Sequence, residues 1–361
     1  MDESVEKKAD IWLAVQGATI GRSHEQEGVV CQDKTFIYKD QSSLAVALAD
    51  GAGSARLSHL GADTVTKEVC KLLCDRFEEF YGSASPLPVK TAIIEHLLNT
   101  LQDVANENMC ELSDLASTLL AVVINDNRFL VVHLGDGVIA YTKDNEIKVA
   151  TAPRNGEFAN TTWFVTSSSA IEMMQIVKGN ASSINGFVLM SDGSEASLYN
   201  KQKNEVAPVL LRLVTRLGMT SSEYLQPIIQ ASLEDAISKR TRDDCSLVLV
   251  SKHIKSYDEL DNSEGIDYYG INFSKSSAAV KRKLRYESIL NALGTEKTGK
   301  ELCQMIGLKN THGFIKTWLD PLEELGYIVE IRPDVYKRTI HPRCCFFTTD
   351  ADINLEEFSD E

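Results

Sequence analysis

Ser43–Ala55 reads SLAVALADGAGSA, and the rest of the chain is organised around it. Leu44 to Ala49 is an unbroken run of apolar and small residues, long enough for one buried strand. The strand delivers a carboxylate, Asp50, into a cluster of small residues: Gly51, Ala52, Gly53, Ser54 and Ala55. A carboxylate at the end of a buried strand is costly unless it is paired or holds a cation. The adjacent Gly51 lets a backbone carbonyl approach a ligand with no Cβ in the way. Taken alone, the stretch reads equally well as a strand-to-turn corner closed by an Asx-turn.

The same device recurs along the chain. Leu134-Gly135-Asp136-Gly137 ends a strand-like run, Gly186–Met190 runs into Ser191-Asp192-Gly193, and Arg242-Asp243-Asp244 precedes the β-rich Cys245–Val250. Four acids abutting apolar strands are better explained by one shared cation site than by four independent turns. All-oxygen ligation favours a hard cation, Mg²⁺ or Mn²⁺. There is no HExxH, no zinc quartet, no Walker glycine loop and no GxSxG elbow.

Around these strand ends, Ile11–Ile20 reads as a first strand. The loop from Gly21 to Lys34 carries Arg22, His24, Gln32 and Asp33, and Thr35–Tyr38 reads as a short strand. Ser58–Tyr81 and Val89–Met109 have helical apolar spacing, with Pro86 and Pro88 between them. Ala116–Ile124 and Phe129–Leu134 are β-rich about the turn Asn125-Asp126-Asn127, and Val206–Leu217 and Ser222–Ser238 read as helices. Strands interleaved with paired helices imply sheets covered by helices, with the acidic ends on one rim.

Composition bounds the class. The chain has 361 residues and a net charge of −15, which argues against nucleic-acid binding by the chain as a whole. Residues 1–252 hold 23 basic and 33 acidic side chains, a balance of −10; residues 279–345 hold 12 and 8, a balance of +4. That asymmetry implies separate modules. No run approaches a membrane helix, the charged start is no signal peptide, and eight scattered Cys read as reduced thiols, so a cytoplasmic protein is expected.

The ordered motifs CQD (31–33), ADGAGSA (49–55), ASTLLAVVI (116–124), HLGDG (133–137), LMSDGSE (189–195) and RDDCSLVLV (242–250) resemble the protein phosphatase 2C family of metal-dependent serine/threonine phosphatases, in a bacterial-type form. The resemblance implies an α+β fold, a four-layer α-β-β-α sandwich of two antiparallel sheets, over residues 1–252. It implies two Mn²⁺ or Mg²⁺ ions and a third, weaker one, and a phosphorylated protein substrate with a cognate kinase. Carried over residue by residue, Asp50 resembles the bridging carboxylate, Gly51 the carbonyl ligand, Asp192 and Asp243 ligands of the second ion, Asp33 the acid acting through water near the first, and Asp136 the acid of the third. Asp50, Asp192 and Asp243 are the residues on which catalysis would depend. Three departures stand out. Ala52 replaces a frequent His, Gly28 replaces the phosphate-binding Arg, with Arg22, His24 or Arg56 as substitutes, and Asp243-Asp244 replaces Asp-Asn. They keep open the alternative of a weak or inactive phosphatase-like binding protein.

Residues 253–277 read as an acidic linker. Residues 278–345, three helices and a hairpin about Pro333-Asp334, resemble a small α+β winged-helix module, and 346–361 read as an acidic, disordered tail. The modest basic charge favours protein docking by this module over DNA reading.

Overall fold

The computed structural model describes residues 11–144, 146–153, 162–219, 221–253, 285, 288–290, 292–324 and 327–338. The linker 253–277, apart from His253, and the tail 346–361 lie outside the described residues, as does most of the helix expected over Ala278–Leu293. Two compact units emerge, one within Met1–Val214 and Leu225–Lys252, the other formed by Thr215–Tyr224 and the described residues between His253 and Arg338.

The first unit begins with β1 (Trp12–Thr19), a short helix α1 (Arg22–Glu27), β2 (Lys34–Lys39) and β3 (Ser43–Ala49). Helices α2 (Ser58–Asp75), α3 (Phe77–Gly82) and α4 (Pro86–Glu107) follow. Four strands come next: β4 (Leu119–Asn125), β5 (Arg128–Leu134), β6 (Val138–Lys143) and β7 (Glu146–Thr151). The unit continues with α5 (Ala170–Met173), β8 (Gln175–Asn180), β9 (Gly186–Met190), α6 (Asp192–Leu198), and the hairpin β10 (Tyr199–Asn200) and β11 (Glu205–Val206). It closes with α7 (Pro208–Met219) as far as Val214, α8 (Ser222–Ser232) from Leu225 with a π-helical extension to Ile237, and β12 (Cys245–Lys252); the end of α7 and the start of α8 belong to the second unit.

The strands form two five-stranded antiparallel sheets, ordered β1-β12-β9-β6-β7 and β2-β3-β4-β5-β8. β3 is buried along its whole length because both of its faces are covered. Leu44, Val46 and Leu48 enter the layer between the sheets with Leu120, Val122, Phe187, Leu189 and Val248. Ala45 and Ala47 face the other way, toward Val65, Val69 and Leu73 of α2 and Ile93 and Leu97 of α4. Strand alternation separates the two sets, and the alanines let α2 pack close to the sheet. On the outer face of the other sheet, Leu233 approaches Gly17 and Val214 approaches Gly186. The expected four-layer α-β-β-α sandwich is observed.

Two local expectations differ, and one strand, β8, has no counterpart in the reading of the sequence. The 21–34 loop contains α1, which ends at Gly28 in the left-handed conformation (φ 69°). Pro86 does not break a helix but opens one: Ser85 caps α4 and Pro86 sits in its first turn, where a missing N–H costs nothing. The edge strand β8 lacks a strong apolar alternation (QIVKGN) and is set by pairing with β5. At the β1 edge of the other sheet, α8 covers the strand. Gln16 N–H donates to Gln226 Oε1 (3.1 Å), the Gln226 amide donates back to the Gln16 carbonyl, and Gln230 Nε2 donates to Ala18 O (3.1 Å). Four residues of helix rise about 6 Å and two of strand about 6.7 Å, so the glutamines match the free edge.

In the second unit, β13 (Lys297–Thr298), β14 (Ile328–Arg332) and β15 (Val335–Arg338) form a sheet ordered β13-β15-β14. Thr298 caps the helix Gly299–Met305 in a capping box with Glu301, and Asn310 caps Thr311–Phe314. A π-helical turn, Ile315–Leu319, runs without a break into Asp320–Glu324, so Pro321 follows directly on the π turn. Leu302, Phe314, Leu319, Leu322, Ile328 and Tyr336 form its core.

Candidate metal centre

Strand register brings the acids together. Lys34 pairs with Ala49, which puts Asp33 and Asp50 side by side at one end of their sheet. Leu48 pairs with Leu120 and Leu119 with Leu134, so the same end continues to Gly135-Asp136. In the facing sheet Met190 pairs with both Leu247 and Val138, and Thr19 with Cys245, which gathers Gly21, Asp136, Asp192 and Asp243-Asp244 at the corresponding end. Because the sheets stack, two rows of strand ends become one rim.

Asp50, Asp136 and Asp192 each turn a carboxylate oxygen inward, and the three atoms lie within 4.8 Å of one another. The Asp50 backbone is clamped. Its N–H donates to Thr118 Oγ1 and its carbonyl accepts from Thr118 N–H, both at 2.8 Å. Gly51 pairs with Ser117, and a Cβ on it would stand 2.8 Å from Ser58 Cβ. Asp33 is 1% exposed, and neither of its oxygens makes a hydrogen bond of ordinary geometry, although the Ser246 and Ser191 hydroxyls and the Asp50 carboxyl approach it. Asp192 Oδ1 is likewise buried without a partner, and Thr162 Oγ1 donates to Asp136 Oδ2.

Burial pushes the Asp33 carboxyl up to about 6, and burial with the charges of Asp136, Asp243 and Asp33 pushes Asp192 up to about 7. Asp50 is raised well above the carboxylate range by burial and by Asp33 and Asp192. Unfolded, these groups ionise near pH 4. Between about pH 4 and 7 the folded state therefore holds more protons than the unfolded state, and stability falls as pH rises through that window. For Asp33 alone the loss is on the order of 3 kcal/mol. The metal-free protein is expected to melt several degrees lower at pH 7.5 than at pH 5.5, and Mn²⁺ at pH 7.5 to restore the difference. Thermal unfolding in EDTA checks this; a midpoint that is flat or rises with pH contradicts it.

Asp243 and Asp244 separate in role. Asp244 is 1% exposed and its two oxygens accept from the backbone N–H groups of Gly21 and Gln32, each at 2.6 Å. It thus ties the β1–α1 corner to the residue before Asp33. Asp243 is exposed and its charge acts on Asp192.

The residues expected to receive phosphate are not gathered here. Arg22 Nε donates to Thr241 O (3.0 Å), His24 Nδ1 stands 3.0 Å from Asp244 Oδ1, and Arg56 is 63% exposed and 3.6 Å from Asp114. At Gly28 the space for a Cβ is open. Sequence reasoning missed Glu195, which is 1% exposed, sits one helical turn after Asp192, and pairs with Lys201 Nζ (2.7 Å). The i, i+3 spacing from Asp192 was the available signal.

A two-sheet sandwich with helices outside and unpartnered carboxylates converging on one edge is the build of a metal-dependent hydrolase. The sequence profile of the protein phosphatase 2C family matches residues 20–238, and the chain belongs to that family. It is 24% identical over 254 residues to serine/threonine-protein phosphatase 3 of Escherichia coli (strain K12), an alignment covering 66% of this chain and 97% of that one. Similar solved structures include the serine/threonine phosphatase Stp1 from Staphylococcus aureus, 13% identical, covering 70% of this chain and 99% of that one with a TM-score of 0.47. The catalytic domain of PstP in complex with two manganese ions is 15% identical, covering 67% and 99% with a TM-score of 0.41. Among the described residues, no helix is long and apolar enough to cross a membrane.

Proposed function

We propose that the chain removes phosphate from serine and threonine of proteins with the help of two Mn²⁺ or Mg²⁺ ions. The observation that carries this reading is the convergence of Asp50, Asp136 and Asp192 within 4.8 Å beside the unpartnered carboxylate of Asp33. Such a cluster repels itself unless a cation occupies it, and its donors are all oxygens, which suits these ions. Asp50, Asp192 and Asp243, with the Gly51 carbonyl, would hold the pair; Asp136 would hold a third, weaker ion. Bound there, the ions supply Lewis acidity, withdrawing charge from phosphoryl oxygens and making water acidic enough to act near neutral pH. Asp33, whose buried oxygens make no hydrogen bond of ordinary geometry, would act near the first ion through water. Thr118 fixes the Asp50 backbone by two hydrogen bonds and Ser58 packs against Gly51, so the Asp50 carboxylate would meet the ions without rearrangement.

The C-terminal unit is assigned to docking of a protein partner, with DNA as the less favoured ligand, since its third helix presents only His312 and Lys316 as basic groups. The described cysteines are all free, which supports a cytoplasmic setting.

Purified protein is expected to hydrolyse an aryl phosphate and a phosphoserine peptide with Mn²⁺ or Mg²⁺, and at least about a hundredfold more slowly in EDTA. No turnover with either metal from folded protein would favour the second reading, a phosphatase-like binding module. The open space at Gly28 and the engaged Arg22 and Arg56 are what favour that reading.

A further inference from the structure

The rim carries five aspartates, Asp33, Asp50, Asp136, Asp192 and Asp243, against the four positive charges of two divalent ions. An arriving phosphate dianion therefore meets residual negative charge unless a side-chain cation stands near. Position 28 supplies none, and Arg22 is turned to a backbone carbonyl. Lys34 Nζ is likewise turned to the carbonyls of Cys31 and Asp33. Lys201 differs. The β10–β11 hairpin follows directly on α6, the helix that Asp192 opens, and returns Lys201 to that helix. There its ammonium meets Glu195 at 2.7 Å, one turn from Asp192 and on the same face.

Glu195 is 1% exposed and its Oε2 has no hydrogen-bond partner, an expensive arrangement for a purely structural surface pair. The Lys201 side chain stays 69% exposed, so its remaining donors face solvent. The Glu195 hydrogen bond raises the ammonium's pKa above the ordinary lysine value, with smaller contributions from the charges of Glu195, Asp192 and Asp136. A lysine on a short hairpin ordinarily loses much rotamer freedom when it binds an anion; anchoring by Glu195 removes part of that cost beforehand.

We propose that Lys201, held by Glu195, is the cation that receives the substrate phosphate at this centre. The proposal rests on the phosphatase reading above and names a residue for it. It is tested on the full chain by calorimetric titration of inorganic phosphate in the presence of Mn²⁺, alongside KM for an aryl phosphate. Lys201→Ala is expected to weaken phosphate binding about tenfold and to raise KM in parallel, with Lys201→Arg recovering most of the loss. Lys203→Ala, on the same hairpin, should match the wild type. A merely structural pair would lower the thermal midpoint of Lys201→Ala and leave phosphate affinity within about twofold; that result overturns the proposal, as does wild-type protein that binds no phosphate. Wild-type protein that binds phosphate but turns nothing over would defeat the phosphatase reading while the Lys201 comparison still decides this one.

Discussion

Asp50→Asn is expected to lower phosphomonoester turnover at least about a thousandfold, while leaving metal-free protein as stable as the wild type or more so. The two effects have one cause. Asp50 stands among Asp33, Asp136 and Asp192, and burial together with those charges opposes its ionisation. An amide of the same size relieves that repulsion, but it offers a neutral oxygen where the ions would need an anionic ligand. The Mn²⁺-induced rise in melting temperature should therefore shrink or vanish in the variant. Steady-state kinetics and thermal unfolding with and without Mn²⁺ read both arms. Full turnover in Asp50→Asn, or an unchanged response to Mn²⁺, would falsify the assignment of this carboxylate to the ions. A mutant that simply misfolded would lose stability in EDTA, which is the opposite sign.

The neighbouring pair at 243 and 244 should respond in opposite ways. Asp244→Ala removes a buried acceptor of two backbone N–H groups, those of Gly21 and Gln32. Charge-assisted hydrogen bonds and the donors left unsatisfied together predict a loss of about 3–5 kcal/mol. Asp244→Asn keeps one acceptor and should lose roughly half as much. Asp243→Asn touches neither N–H group, so its melting temperature should hold while turnover drops. Denaturant unfolding of the three variants decides the matter. If Asp244→Ala is as stable as the wild type and Asp243→Asn is not, the two roles are reversed. The space is tight enough to enforce the register: Cβ atoms placed on Gly21 and Gly193 would fall 2.3 Å from the Asp243 carbonyl carbon and 2.1 Å from the Asp244 carbonyl oxygen.

Much of this was legible in one dimension. β3 announces itself because an apolar run with small residues at alternate positions can only be covered on both faces, and the acid that follows it cannot be buried without a reason. The recurrence of an acid at four strand ends implied one rim before any pairing was known. By contrast, β8 has no clear periodicity, and a Pro between two helical stretches is compatible both with a break and with the first turn that Pro86 occupies.

The sequence by itself determined sheets covered by helices and four acids at strand ends, since these follow from alternation, helical spacing and the cost of burying charge; the four-layer sandwich and the place of Asp33 were implied by the family resemblance. Tertiary structure alone decided what each polar group meets. Asp243 and Asp244 are adjacent in sequence, yet only Asp244 reaches the Gly21 and Gln32 amides, because antiparallel pairing of Thr19 with Cys245 carries those residues to it. Arg22, His24 and Arg56 lie near site motifs in sequence, yet Arg22 and Arg56 meet partners outside the metal ligands and His24 faces Asp244. Lys201 had no motif to mark it; a hairpin return brings its ammonium to Glu195 beside Asp192. Periodicity reports which face of an element is covered, whereas the direction of a charged side chain depends on strand register and loop closure, which are properties of the folded chain.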